Sequence, residues 1–304
     1  VPDHDAAATA ALLPYPALAE AIAATLADAA QGLATAPERI HHPLPGGGTL
    51  LVMPAADQRV AVNKLVTVCP GNPARGLPLL LGAVTVLDAA TGRCLGVLDG
   101  PTVTARRTAA LSLLAARTLA PQPGGALLVL GAGAQARAHL EALREGLGTR
   151  RALICSRTPA RAEALAAHAR SLGMQAAAVA DPARALEECA LVVTATSSRT
   201  PVLHGPLRPD AFVAAVGAFK ADMAEVAPEV VRACRVFVDT APGCAAEGGD
   251  LLLAGLDPAR DCTPLAAALG APRPAHGPVL FKSVGHALFD LAAGRLALGH
   301  AAGG

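Results

Sequence analysis

The sequence predicts an α/β protein of two domains: a doubly wound parallel sheet wrapped by helices, and before it a domain mixing helices with turn-linked strands. Three observations point there. The chain has 304 residues, enough for two cores of ordinary size. Its second half alternates short, continuously apolar runs with helical stretches, as strands buried on both faces of a parallel sheet do. The first of those runs, ALLVLG (126–131), leads directly into a G-x-G-x-x-A turn that opens a helix.

Residues 1–30 read as a helix opening after Pro14 and Pro16; no basic segment precedes the apolar one, so a signal peptide is not expected. GTLLVMPA (48–55), VAVNKLVTV (60–68) and LLLGAVTVLDAATGRCLGVLDG (79–100) read as strands joined by Gly/Asp turns, with DAATGR as a hairpin connection. TVTARRTAALSLLAARTLA (102–120) has helical spacing and ends before Pro121 and Pro123. The APQPGG stretch marks a domain boundary, which gives one domain over 1–120 and a second over 121–284. In the second, strands are expected at 126–131, 151–156, 175–180, 191–196, 211–217 and 234–240, with helices at 134–144, 159–172 and 182–188. The tail PVLFKSVGHALFDLAAGRLA (278–297) adds a short strand and a helix, so that 285–304 returns to the first domain.

Composition narrows the partners. Hydrophobic residues make up 53% and charged ones 16%, and five Phe, one Tyr and no Trp leave little on which bases could stack. The net charge of +1, without basic or acidic blocks, removes the electrostatic case for nucleic acid or an anionic membrane. Apolar runs are broken well before the ~18 residues of a membrane span. A small-molecule ligand and a cytoplasmic location are therefore expected. The seven cysteines form no C-x-x-C pair and the nine histidines no H-x-x-x-H spacing, so neither a disulfide framework nor a metal site is expected.

The G-x-G-x-x-A turn is the strongest chemical signal. Gly131 permits the tight turn, Gly133 lets backbone N–H groups approach a pyrophosphate, and Ala136 allows close helix packing, as in a Rossmann dinucleotide site. After the next strand, ALICSRTPAR offers Ser156, Arg157 and Thr158, with Arg161 one turn on, where an acid would bind a ribose 2′-hydroxyl. An arginine and two hydroxyls suit a 2′-phosphate, so NADPH is favoured, with NADH possible. The same residues also make an ordinary helix start.

Arg39, Arg106 and Arg107 are candidates for gripping a planar carboxylate. Successive helix residues point about 100° apart, so one of Arg106 and Arg107 is structural. Lys64 is one of three lysines, with Lys220 and Lys282, against twenty-two arginines. Unlike a guanidinium, its ammonium can give up a proton.

The segments PERI, VNKLVTVCPGNPARGLPLLLGAVTVLDAATGRCLGVLDG, TARRTAALSLLAARTLAP, LGAGAQARAH, AVGAFKADMAEV and LFKSVGHALFDLA together resemble the ornithine cyclodeaminase/mu-crystallin family almost from end to end. The resemblance implies a homodimer whose subunits carry a substrate-binding and dimerisation domain and a Rossmann domain for NAD(P)(H). It places the substrate carboxylate on Arg39 and Arg107, the active-site lysine at Lys64, and Thr108 near the pyrophosphate. Along the same segments we take Ala134, Gln135, Val216, Gly217 and Ser283 as further candidate cofactor contacts, with Thr196 at the end of LVVTAT. Where the cyclodeaminases carry a catalytic aspartate this chain has Phe219, which can neither bind an ammonium by charge nor relay a proton.

That departure brings forward the family's reductases. The expected substrate is a small cyclic imino acid, Δ1-pyrroline-2-carboxylate or Δ1-piperideine-2-carboxylate, reduced to L-proline or L-pipecolate, with Phe219 lining the pocket and Lys64 either bonding the carboxylate or giving the proton, directly or through water. Alternatives are an amino-acid dehydrogenase that needs a free amine, a cyclodeaminase that releases ammonia from L-ornithine, and a non-catalytic NADPH-dependent binder.

Overall fold

The computed structural model describes residues 1–301. In chain order the elements are β1 (Asp3–His4), α1 (Ala6–Leu12), α2 (Tyr15–Ala30), β2 (Ile40–Leu44), β3 (Gly48–Ala56), β4 (Val60–Val68), β5 (Leu80–Asp88), β6 (Cys94–Asp99) and α3 (Gly100–Leu119). There follow β7 (Leu127–Leu130), α4 (Ala134–Leu147), β8 (Arg151–Cys155), α5 (Pro159–Ser171), β9 (Gln175–Ala178), α6 (Pro182–Glu188), β10 (Leu191–Thr194) and β11 (Phe212–Ala215). The last are α7 (Pro228–Ala233), β12 (Arg235–Val238), α8 (Ala241–Glu247), α9 (Gly249–Leu253), α10 (Pro258–Asp261), β13 (Thr263–Pro264), α11 (Leu265–Ala268), β14 (Val279–Lys282) and α12 (Ala287–Ala301). The chain divides into two compact units, Val1–Arg107 with the chain from His286 onward, and Thr108–Gly285.

The first unit holds a six-stranded sheet in the order β1-β6-β5-β4-β3-β2, antiparallel except where β1 joins β6. Strand β4 shows the period-2 alternation of a sheet with one covered face: Val60, Val62, Lys64 and Val66 are buried, while Leu65 is 46% exposed. Helix α12 covers the inner face, lying against β3, β4 and α2. Gly294 permits that approach, since a Cβ there would come within 2.7 Å of Val62 Cγ1.

The expected single helix over 1–30 is broken into β1, α1 and α2. Pro14 has no N–H to continue a helix and disfavours helical backbone at Leu13 before it. The freed Leu13 carbonyl accepts a hydrogen bond from Arg106 Nε at 2.6 Å.

The second unit is an eight-stranded, all-parallel sheet, β13-β12-β14-β11-β10-β7-β8-β9. Its strands are short and apolar on both faces, with β7, β10, β11 and β14 buried throughout. From β7 the chain moves to β8 on one side, and β10 lies on the other. The adjacent ends of β7 and β10 are thus the switch point where doubly wound sheets bind ligands. Strand β14, the last in sequence, is inserted between β11 and β12.

Unit boundaries fall at 107/108 and 285/286, where 120/121 and 284/285 were expected. The difference at the first lies in α3, which runs unbroken through the change. Its first turns pack in the first unit, with the Arg106 guanidinium 3.8 Å from the centre of the Tyr15 ring. Its later turns pack in the second, where a Cβ on Gly146 of α4 would meet Leu113 Cδ2 at 2.3 Å.

Candidate active site

In the first unit, the buried face of β4 carries Lys64 between Met53 of β3 and Val84 of β5, both buried. The lysine is itself only 2% exposed. Its Nζ lies 2.9 Å from both carboxylate oxygens of Asp290, and Arg107 Nε is 3.5 Å from Oδ1 of the same carboxylate. Asp290 is fully buried in the first turn of α12. It stands four residues before Gly294 and so on the same helix face, just as Lys64 stands two after Val62 on one strand face. The close packing of Gly294 on Val62 therefore brings the carboxylate to the ammonium.

Burial pushes the Lys64 pKa down to about 8; the Asp290 charge opposes that, and the charges of Arg107 and Arg39 add to it. The group can therefore hold a proton at neutral pH and release it to a reacting atom. Arg39, half-buried just before β2, belongs to this cluster through its charge. Lys64, Arg107 and Arg39 outnumber the Asp290 carboxylate, which leaves the cluster cationic and suited to a carboxylate ligand. Arg106 is the structural member of its pair, held on the Leu13 carbonyl and the Tyr15 ring.

Asp290 was not among the expected residues. It is the one acid in the apolar helix ALFDLAAGRLALGHA, and a lone carboxylate amid such a run is a usable signal for a buried ion pair.

The second unit carries the other expected residues, all but Thr108 at or just after the C-terminal ends of its strands. Gly131 after β7 has φ of 120° and is so close to β10 that a Cβ would come 2.4 Å from the Ala195 carbonyl oxygen. Gly133 is the N-cap of the 14-residue α4, exposed, with no side-chain cap and nothing within 4 Å of a notional Cβ. Ala134 and Gln135 open that helix, whose first-turn N–H groups fit a pyrophosphate. Thr108 is buried in α3.

At the end of β8, Arg157 and Thr158 are exposed and Ser156 half-buried; Thr158 is an N-cap without a side-chain bond, and no acid occupies the first turn of α5. This donor set fits a 2′-phosphate. Together the glycine cradle and these donors fit a dinucleotide.

Other candidates are committed to the protein's own bonds. The Thr196 and Gly217 N–H groups both donate to Glu225, at 2.5 and 2.6 Å, and the Val216 N–H donates to the Thr194 carbonyl at 3.0 Å. The Ser283 hydroxyl donates to Asp239 at 2.8 Å and its N–H to the Ala215 carbonyl at 3.1 Å. Val216 and Ser283 are also buried, so of these residues Thr196 and Gly217 keep partly exposed surface for a ligand. Phe219, half-buried in the loop after β11, belongs to this unit, whereas Arg39, Lys64 and Arg107 belong to the first.

Comparison with known proteins agrees with this architecture. The profile of the ornithine cyclodeaminase/mu-crystallin family matches residues 5–303. Delta(1)-pyrroline-2-carboxylate reductase 1 of Burkholderia multivorans is 45% identical over 301 residues, covering 97% of this chain and 94% of its own. Delta(1)-pyrroline-2-carboxylate/Delta(1)-piperideine-2-carboxylate reductase of Azospirillum brasilense is 43% identical over 297 residues, covering 98% and 95%. Among solved structures, Thermococcus litoralis Delta(1)-pyrroline-2-carboxylate reductase in complex with NADH and L-proline superposes with a TM-score of 0.89 at 28% identity, covering 96% of this chain and 94% of that one. With nearly its whole length matched by the family profile and by a relative 45% identical, the chain belongs to the ornithine cyclodeaminase/mu-crystallin family.

Proposed function

We propose that this protein is an NAD(P)H-dependent reductase of cyclic imino acids, converting Δ1-pyrroline-2-carboxylate and Δ1-piperideine-2-carboxylate to L-proline and L-pipecolate. The observation that carries the reading is the buried Lys64, paired with Asp290 beside Arg107, in a chain 45% identical to such a reductase over 97% of its length. Bound NAD(P)H supplies the hydride that reduces the imine carbon.

The chain's own residues do the rest. Arg107 and Arg39 bind the substrate carboxylate, which orients the ring and fixes the position of its imine carbon. Lys64, protonated below about pH 8, gives a proton to the imine nitrogen. Asp290 holds the Lys64 ammonium in place and keeps its pKa from falling further. Phe219 brings no charge of the kind that would favour a diamino acid.

Arg157, Ser156 and Thr158 favour NADPH over NADH, since no carboxylate stands at the end of β8 to repel a 2′-phosphate. The protein acts as a homodimer. Support comes from the outer face of the six-stranded sheet, where Ile40, Leu65 and Leu81 are 58%, 46% and 41% exposed. Apolar side chains so arranged across neighbouring strands mark an association surface.

Oxidation of NADPH and NADH is measured against both imines, with L-ornithine and with a 2-oxo acid plus ammonia as controls. Rapid oxidation with either imine and none with the controls is expected. Ammonia release from L-ornithine, or a need for free amine, would overturn the reading.

A further inference from the structure

Beneath the loop after β11 lie three charged side chains that the proposed chemistry does not use: Glu225, Asp250 and Lys282, all fully buried. Their bonds form a closed ring. Lys282 Nζ donates to the Ala218 carbonyl at 2.5 Å and sits 2.7 Å from Asp250 Oδ2. Asp250 Oδ1 accepts the N–H groups of Glu225 and Val226 at 2.6 and 2.9 Å. Glu225 Oε2 accepts the N–H groups of Gly217 and Ala218 at 2.6 and 3.3 Å and the Thr194 hydroxyl at 2.9 Å, and Oε1 accepts the Thr196 N–H at 2.5 Å.

The ring closes on one residue, Ala218, through the peptide on each side of it. The Ala218 N–H faces a carboxylate and its carbonyl an ammonium, so turning either peptide plane would set like against like. The packing around it is equally tight. A Cβ on Gly217 would meet the Thr196 carbonyl oxygen at 2.3 Å, and one on Gly249 would meet the Met223 and Lys220 carbonyl oxygens at 2.0 and 2.5 Å. Buried ion pairs stabilise a fold poorly compared with apolar packing, so three such groups under one loop call for a role in fixing a conformation.

The place of the loop supplies that role. The glycine turn after β7 suits the pyrophosphate and the end of β8 the adenosine ribose, which leaves the ends of β10 and β11, across the switch point, for the nicotinamide half. We propose that the Glu225–Asp250–Lys282 ring is a positioning device that locks the two peptides flanking Ala218, and through them Gly217 and Phe219, as the platform for the nicotinamide half of the cofactor. The proposal rests on the reductase reading for the identity of that cofactor. Its three members act through backbone groups and are positioning residues.

The test compares Glu225→Gln and the paired change Lys282→Met with Asp250→Asn, which removes both charges of the ion pair together, against the wild type. The probes are NADPH and 2′-phospho-ADP-ribose, which is NADPH without its nicotinamide. Affinity for 2′-phospho-ADP-ribose is expected to stay within about twofold of wild type, while NADPH binds more weakly and loses its fluorescence enhancement. Hydrogen exchange over 216–220 is expected to rise about tenfold or more in the cofactor-free variants. The kcat is expected to fall roughly 10- to 100-fold, as for a small displacement of a reacting group.

Equal weakening of both ligands would reduce the ring to a structural role and overturn the proposal, as would unchanged exchange or unchanged kcat. Should no variant fold, the wild type decides: the Gly217 and Ala218 amides must exchange far more slowly than those of exposed Ala221 and Asp222. If the wild type reduces neither imine, the reductase reading fails, while the binding split and the exchange data still judge the ring.

Discussion

Lys64 sits in an apolar wall, and its neighbours decide what it can do. It is paired with the buried Met53 and Val84 on the neighbouring strands, and a guanidinium in its place would keep its proton. Lys64→Met should therefore lower kcat for imine reduction by roughly 10²- to 10⁴-fold, the usual weight of a general acid, while NADPH affinity by fluorescence titration stays near wild type. Near wild-type turnover would remove the lysine from the chemistry. Asp290→Asn has a sign that can be worked out: the Asp290 charge raises the Lys64 pKa, so its loss lowers that pKa below about 8. The basic limb of the pH–rate profile should move to lower pH, with activity at pH 8.5 falling more than at pH 6.5; a limb that stays put would separate Asp290 from the titration. The lysine was legible as a rarity in an arginine-rich chain. Its counter-ion was not, because it lies 226 positions away and only the docking of α12 brings the two together.

At the level of elements, the strands were legible wherever a short apolar run could be bounded by turns, as in β3, β4 and the parallel strands from β7 to β12. Strand order was not, because pairing is settled by contacts distant in sequence. Nothing in VLFK says that it enters between β11 and β12, or that its lysine ends fully buried against Asp250. The glycine turn could be read because its requirement is local, a positive φ and room beside β10. Helix α12 offers an element-scale test. Gly294→Ala puts a methyl 2.7 Å from Val62 Cγ1, so the helix must withdraw from the sheet. We expect a loss of about 1–3 kcal/mol in unfolding free energy, the range for overpacking a core, measured by denaturant titration. Because Asp290 rides on the same face, the basic limb should shift in the direction expected for Asp290→Asn. Full stability with an unchanged limb would show that the contact is not what seats the carboxylate.

For the whole molecule, length and apolar content were enough to indicate two cores, but the first boundary lies inside a helix with no turn residue to mark it. The outer face of the first sheet was likewise hidden. A strand alternating between two apolar sides reads like any buried strand, and only the structure separates Val66, inside, from Leu65, outside. If that outer face joins two copies, Leu65→Asp paired with Leu81→Asp should halve the mass seen by light scattering and leave each copy folded by circular dichroism. A mass unchanged by two buried carboxylates would place the subunit contact elsewhere.

Chain order gives the discontinuous first unit one more consequence, for synthesis. Residues up to 107 leave the ribosome early, yet the helix that covers their sheet and brings Asp290 to Lys64 begins only at Ala287. The unit begun first is thus completed last, after the parallel sheet has had time to close around its own core. A chain stopped after Gly285 should keep the 108–285 unit resistant to limited proteolysis and lose the sheet of the first; protection of both would mean that the sheet can wait for its helix without unravelling.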